Sequence, residues 1–259
     1  MKKILITNDD GFDAIGLKNL IEAVEGLGEI FVVAPALHKS ACGHSLTITK
    51  PLMLQSFDDN CYKVDDGTPT DCVYLALNHI FDEVKPDIVL SGINHGANMG
   101  DDLTYSGTAG AVMEAVLHGI SGIAFSQVMK TYHKADETID WEESKKYVRA
   151  ITQKVLKNDP FKNERKFLNV NIPNDKIKGI KVTKLGYKTY SNEAFLHHDP
   201  RGREYFWIGL PALEFMYEDN SDLGAVSDGF VSITPIKMDM TDYGEIPYIK
   251  DWLRGKNES

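Results

Sequence analysis

The chain has 259 residues, a formal net charge of −10, 42% hydrophobic and 25% charged residues. That is enough apolar material for a core without disulfide staples, and the acidic balance disfavours long nucleic acids, whose binders carry a basic surface. No run of about 18 apolar residues is present, so no membrane span is expected. Three cysteines, Cys42, Cys61 and Cys72, with no C-x-x-C pair indicate neither a disulfide framework nor a zinc site, and fit a reducing cytoplasm. Met1-Lys2-Lys3 resembles the start of a signal peptide, but the apolar run stops at Ile6 and meets Asn8-Asp9-Asp10.

Residues 3–7 have buried-strand character and run into Asn8-Asp9-Asp10-Gly11. Strand, acidic turn and helix is how an open α/β sheet begins, and such sheets bind ligands beyond the carboxyl ends of their strands. Two adjacent carboxylates repel each other, so Asp9 and Asp10 call for a compensating cation or a shared proton. Leu17, Leu20, Ile21, Val24 and Leu27 have helical spacing, and Gly28 ends it. Residues 29–34 form the next strand, so a right-handed βαβ unit and a parallel sheet are expected.

Residues 35–46 are a long polar loop leaving the same edge as Asp9. Residues 46–64 predict short antiparallel strands about the turn Asp58-Asp59-Asn60. Thr68, Pro69 and Asp71 have the spacing of a capped helix start, with Val73, Ala76, Leu77 and Ile80 facing inward. Asp71 is then a helix-start charge, and Asp65 and Asp66 belong to a solvated turn.

A third core strand covers 87–91, and the glycine-rich stretch from Gly92 to Thr108 follows it. It ends at a helix with Ala109, Val112, Met113, Val116 and Leu117 on its apolar face. The small first turn Ser106-Gly107-Thr108 leaves free N–H groups approachable, a ready anion site. Residues 122–126 are a fourth strand, 127–140 a polar loop, 141–157 an amphipathic helix, and 167–171 a strand. From about residue 175 the chain turns to short strands at 180–183, 205–210 and 230–234, with a last helix at 248–253.

Four strand ends thus offer hard oxygen donors on one edge: Asp9 and Asp10, Ser40, Asn94 and Asn98, and Ser106 to Thr108. Such a set suits octahedral Mg²⁺ or Mn²⁺ better than zinc. A cation beside a helix N-terminus favours phosphate, and together they suggest metal-assisted hydrolysis of a phosphomonoester. The alternative class is a non-catalytic nucleotide-binding or phospho-signalling module. A phospho-accepting receiver needs an acceptor Asp and a Lys where this chain has Ser91-Gly92 and Ser126-Gln127. A dinucleotide enzyme needs G-x-G-x-x-G in the first turn, where an acidic pair stands.

Thr7-Asn8-Asp9-Asp10-Gly11, Lys39-Ser40, Gly67-Thr68-Pro69-Thr70-Asp71-Cys72-Val73, Ser91-Gly92-Ile93-Asn94 with Gly96, Asn98 and Gly100, Tyr105-Ser106-Gly107-Thr108, and the stretch from Gly229 to Pro235 together resemble the SurE family of stationary-phase survival proteins. The resemblance spans almost the whole chain, in family order. It implies a single SurE-like domain over 1–259. Its Rossmann-like core over 1–174 would have a mostly parallel sheet and helices on both faces. An extension over 175–259, with a hairpin arm and terminal helix, would serve oligomer assembly.

It also implies a metal-dependent cytoplasmic nucleotidase, a homodimer or homotetramer, that cleaves nucleoside 5′-monophosphates, 3′-monophosphates as well, and short polyphosphate. One divalent ion, Mg²⁺ or Mn²⁺ with Co²⁺ as a further candidate, is expected at Asp9, Asp10, Ser40 and Asn94, with Asp9 and Asn94 essential to catalysis. Asn98, Ser106, Gly107, Thr108 and Lys39 fall on the phosphate side. Lys39 stands where the family often has Arg, which puts a point charge in place of a planar fork. Ala109-Gly110 replaces a bulkier pair and is expected to loosen the helix start. His44, His95, His197 and His198 are the histidines to check for proton transfer.

Overall fold

The computed structural model describes residues 1–129, 139–162, 164–189, 194–208 and 214–255. β1 (Lys3–Thr7), α1 (Ile15–Val24) and β2 (Glu29–Pro35) form the expected first unit, and β3 (Met53–Asp58) and β4 (Cys61–Asp65) the expected antiparallel pair. α2 (Pro69–Leu75), continued by one wider turn over Ala76–Ile80, leads to β5 (Ile88–His95). α3 (Gly107–Leu117), β6 (Ser121–Gln127), α4 (Trp141–Lys157) and β7 (Lys166–Ile172) complete the alternation. The expected loop at 127–140 lies mostly outside the described residues. Beyond it come β8 (Ile180–Val182), β9 (Lys188–Thr189), β10 (Ala194–His198), β11 (Glu204–Ile208), β12 (Glu214–Phe215), α5 (Asp222–Ser227), β13 (Val231–Lys237) and α6 (Ile246–Leu253).

The main sheet runs in the order β3-β4-β2-β1-β5-β6-β7-β13-β8. From β4 to β7 every pairing is parallel, while β3 and β13 pair antiparallel to their neighbours β4 and β7. Both faces are covered, which is why the central strands read as continuous apolar runs. Ile4 and Ile6 pack with Leu17, Leu20 and Val24 of α1 and Val148, Ile151 and Val155 of α4. Leu5, pointing the other way, packs with Val73 and Leu77 below α2 and Ala111 and Ala115 of α3. The chain leaves β1 toward β2 and later returns on the opposite side as β5. The strand order therefore reverses between β1 and β5, and that is where ligands settle in such sheets.

The last third divides. β8 and β13 extend the main sheet, whereas β10 and β11 form a separate two-stranded hairpin whose side chains are all exposed. Sequence patterning gave no sign that part of this region would join the central sheet, because which strand edge a segment pairs with is set by tertiary structure. Among the described residues no helix is long and apolar enough to cross a membrane.

Candidate functional site

Asp9 leaves the tip of β1 and is buried, with 3% of its surface exposed. Its Oδ1 accepts the Thr108 hydroxyl at 2.7 Å, from the first turn of α3. Asp10 Oδ2 accepts the backbone N–H of His95, at the end of β5, at 2.9 Å, and the His38 ring lies 3.4 Å from Asp10 Oδ1. No lysine or arginine pairs with either carboxylate among the described residues. Burial, then the charge of Asp10, pushes the Asp9 carboxyl up to about 6, against the Thr108 hydrogen bond, which lowers it. Burial, and after it the charge of Asp9, lifts the neighbouring Cys42 thiol to about 11.

The helix start lies directly against this acid. A Cβ at Gly107 would stand 2.8 Å from Cys42 Sγ and 3.0 Å from Asp9 Cβ, so only glycine allows the approach. Ser106 caps α3 by accepting the Ala109 N–H at 3.0 Å. The N–H groups of Gly107 and Thr108 have no acceptor among the described residues, and an anion can take both.

The loop after β2 is fastened to the site along its length. The Lys39 N–H donates to Asp9 O at 2.7 Å, and the Gly43 N–H to Tyr105 O at 2.9 Å. His44 Nε2 meets Glu114 of α3 at 2.8 Å, and the Thr47 N–H donates to Asp71 at 2.8 Å. Asp71 thus does more than cap α2: one oxygen takes the Thr68 N–H and the other the loop. Gly110 does not loosen the helix start as expected. A Cβ there would meet Gly43 O at 2.4 Å, so the loop backbone fills the space.

Ser40 sits in an exposed turn one residue after the Lys39 tether, and its hydroxyl has no partner among the described residues. The Lys39 ammonium turns away to Asp66 at 2.6 Å, and Lys50 joins the same acid, so Asp66 carries two ion pairs in its turn. Asn94 is buried near the tip of β5, its Nδ2 donating to Gly96 O at 2.9 Å, which leaves Oδ1 as the free end of the carboxamide. Asn98 is buried as well, but both hydrogens of its Nδ2 are taken, by Thr108 Oγ1 at 3.2 Å and Ser126 Oγ at 2.8 Å.

The structure thus joins Asp9, Asp10, Thr108, Asn98 and the Lys39 backbone through hydrogen bonds that converge on the β1 tip. It leaves Ser40 and the side chains of Lys39 and Asn94 without a direct contact to the two acids. Of the four histidines, His44 is tied to Glu114, whose other oxygen holds His118 at 3.0 Å. His95 contributes its backbone alone, His197 stacks on Tyr205 in the hairpin, and His198 lies 3.7 Å from Glu204 there.

Two groups escaped sequence reasoning. His38 was one residue in a polar loop, with no pattern to mark it. Asn169 and Asn171 carried a signal that was available: two amides two apart in a strand otherwise buried, hence on one face. Both are fully buried and hold the backbone of Asn98.

The donor set fits a hard cation. Asp9 and Asp10 are adjacent carboxylates with no lysine or arginine partner among the described residues, and the Asn94 carboxamide oxygen and the Ser40 hydroxyl are unengaged, all of them oxygen donors. Among the described residues no group of three or more His, Cys, Asp and Glu could hold a metal ion.

Comparison with known proteins places the chain. The family model Survival protein SurE matches residues 4–192. The chain is 51% identical over 258 residues to the 5′-nucleotidase SurE of a Nitratiruptor species, covering 98% of this chain and 100% of that one. It is 51% identical over 260 residues to the protein of the same name from Aliarcobacter butzleri, covering 98% and 99%. The crystal structure of SurE protein from Aquifex aeolicus superimposes with a TM-score of 0.83 at 42% identity, over 97% of this chain and 99% of that one. With a family match over most of its length and full-length relatives at this identity, the chain belongs to the SurE family.

Proposed function

We propose that this chain is a divalent-cation-dependent 5′-nucleotidase that hydrolyses nucleoside 5′-monophosphates to nucleoside and phosphate, with 3′-monophosphates and short polyphosphate as further substrates. The observation that carries this reading is the Asp9–Asp10 pair, without a lysine or arginine partner among the described residues, set against the open amides of Gly107 and Thr108 at the point where the strand order reverses. The name shared by the full-length relatives supports it.

Asp9, Asp10, Ser40 and Asn94 would hold one ion, Mg²⁺ or Mn²⁺, or Co²⁺ in their place. When bound, the ion supplies polarisation of a phosphoryl oxygen and a more acidic water. The rest falls to the chain. Gly107 and Thr108 donate backbone N–H groups to the phosphoryl oxygens and stabilise the charge that grows on them. Ser106 keeps that turn open by capping it, and Thr108 orients Asp9 through its hydroxyl. Asn98 acts through Thr108, since its donors are already engaged. Lys39 would reach a phosphate only by leaving Asp66.

The same proposal makes the protein a cytoplasmic homodimer or homotetramer. Phe195, Phe206, Trp207 and Ile208 of the β10–β11 hairpin, and Tyr248 and Trp252 of α6, are exposed. Exposed apolar side chains of this kind support an interface with a second copy.

The test is phosphate release from AMP by protein first stripped with chelator. Release is expected only after Mn²⁺ or Mg²⁺ is restored. Binding of AMP without release would favour a non-catalytic module, and release that ignores the chelator would remove the cation from the proposal.

A further inference from the structure

β7 carries two asparagines on one face, Asn169 and Asn171, and neither is exposed at all. Their amides grip a residue of the site loop from the far side of β6. Asn171 Oδ1 accepts the Asn98 N–H at 2.9 Å, and Asn171 Nδ2 donates to Asn98 O at 3.0 Å. Asn169 Nδ2 donates to that same carbonyl at 2.8 Å. One side-chain amide therefore satisfies both backbone groups of a buried loop residue, as a neighbouring strand would. The amide is anchored on a strand paired on both sides, with β6 and β13, so it fixes where the Asn98 backbone sits.

That position decides where the Asn98 side chain points. Its Nδ2 gives one hydrogen to Ser126 and one to Thr108. Thr108 Oγ1, having accepted from Asn98, is left to donate, and it donates to Asp9. The sequence of contacts runs without a gap from β7 to the buried acid at the tip of β1.

We propose that Asn171 is a positioning residue for the reaction: its amide, paired with both backbone groups of Asn98, aims the Asn98 carboxamide at Thr108 and so sets the hydroxyl that orients Asp9. This rests on the reading of the Asp9 site as a cation-dependent phosphomonoesterase centre. Asn171 touches neither the phosphate cradle nor the acids, so its effect passes through Asn98 alone.

Asn171→Ala removes both contacts. Asn171→Asp keeps the size and the acceptor but turns an oxygen toward the Asn98 carbonyl. Each is expected to lower kcat for AMP at least about tenfold while KM stays within about threefold, since the Gly107 and Thr108 amides remain. Mn²⁺ affinity, measured calorimetrically on nucleotide-free protein, is expected to fall at least about threefold, less than the about 10–100-fold typical when a group bonded directly to a metal ligand is lost, because Asn171 stands behind Asn98 and Thr108. The double variant Asn98→Ala/Asn171→Ala is expected to match Asn98→Ala alone in both readings, as it must if one residue acts through the other.

An Asn171 that only stabilises the fold would lower Tm and leave the Mn²⁺ affinity of the folded protein unchanged, and its loss would multiply with that of Asn98→Ala. Either result overturns the proposal. If the alanine variant does not fold, Asn171→Asp carries the same readings. If wild-type protein binds Mn²⁺ but hydrolyses no nucleotide, the proposed function fails, and the Mn²⁺ measurement still decides the role of Asn171.

Discussion

The tip of β1 and the β10–β11 hairpin are built on opposite terms. At the tip, polar groups are buried and bonded to partners far away in sequence: Thr108 to Asp9, His95 to Asp10, Asn171 to Asn98. In the hairpin, aromatic and aliphatic groups stand exposed, and the described hydrogen bonds are local, such as Arg203 to Asp199. A buried polar group left unpaired costs free energy, so every change at the tip is felt. An exposed apolar group costs little in place and acquires its value when another surface covers it. One region should govern turnover and the other association, and each can be perturbed without the other.

The largest effect should come from Asp9→Asn. It removes a charge from the acidic pair, and Mn²⁺-dependent release of phosphate from AMP should fall by more than about 10³-fold, beyond the loss seen for a single transition-state donor. Turnover near the wild-type rate would break the assignment of this tip. Gly107→Ala should follow, with kcat reduced about 10–100-fold, because the new methyl meets Cys42 and Asp9. A crystal structure of that variant should show α3 moved away from β1.

Stability gives a third test, with chelator present. The Asp9 carboxyl titrates at about 6 in the folded chain and at the ordinary 3.8 when unfolded. Between those values the folded state keeps a proton that the unfolded state has lost, so stability falls as pH rises through this window. Asp9→Asn escapes that loss. In urea titrations it should be more stable than wild type at pH 8 by about 2–3 kcal/mol, and the gap should close by pH 4. A gap that widens toward low pH would reverse the sign of the argument. The smallest effect on chemistry belongs to the hairpin. Phe206→Ser with Trp207→Ser should lower the assembly size seen by light scattering and leave kcat within about twofold, as surface changes away from such networks usually do. Loss of activity along with assembly would join the two regions that the contacts keep apart.

Local chemistry made much of this legible in the sequence. Thr68, Pro69 and Asp71 announced a capped helix because a cap is a matter of three residues, and the structure has both halves of the box. Asp9 and Asp10 drew attention because two adjacent carboxylates after an apolar strand need an explanation wherever they fall. What stayed hidden was long-range. Nothing near Asn171 in sequence says that it will meet Asn98, and nothing near Gly110 says that a loop will lie across it. β5 was expected to end at Ser91 yet runs to His95, because its pairing with β6 resumes at Asn94 after a register shift. β8 and β13 joined the main sheet because β7 offered a free edge, a fact about the tertiary structure and not about either segment.

The fastened loop after β2 has a consequence for how a ligand would be met. With ties at Lys39, Gly43, His44 and Thr47, only the three residues from Ser40 to Cys42 lie between the first anchor and the second. Little chain is left to swing, so the entropy of ordering this segment is surrendered during folding and not again at each encounter. Recognition should therefore resemble a key entering a finished lock, with an arrival rate that depends on diffusion and charge more than on a slow closing motion.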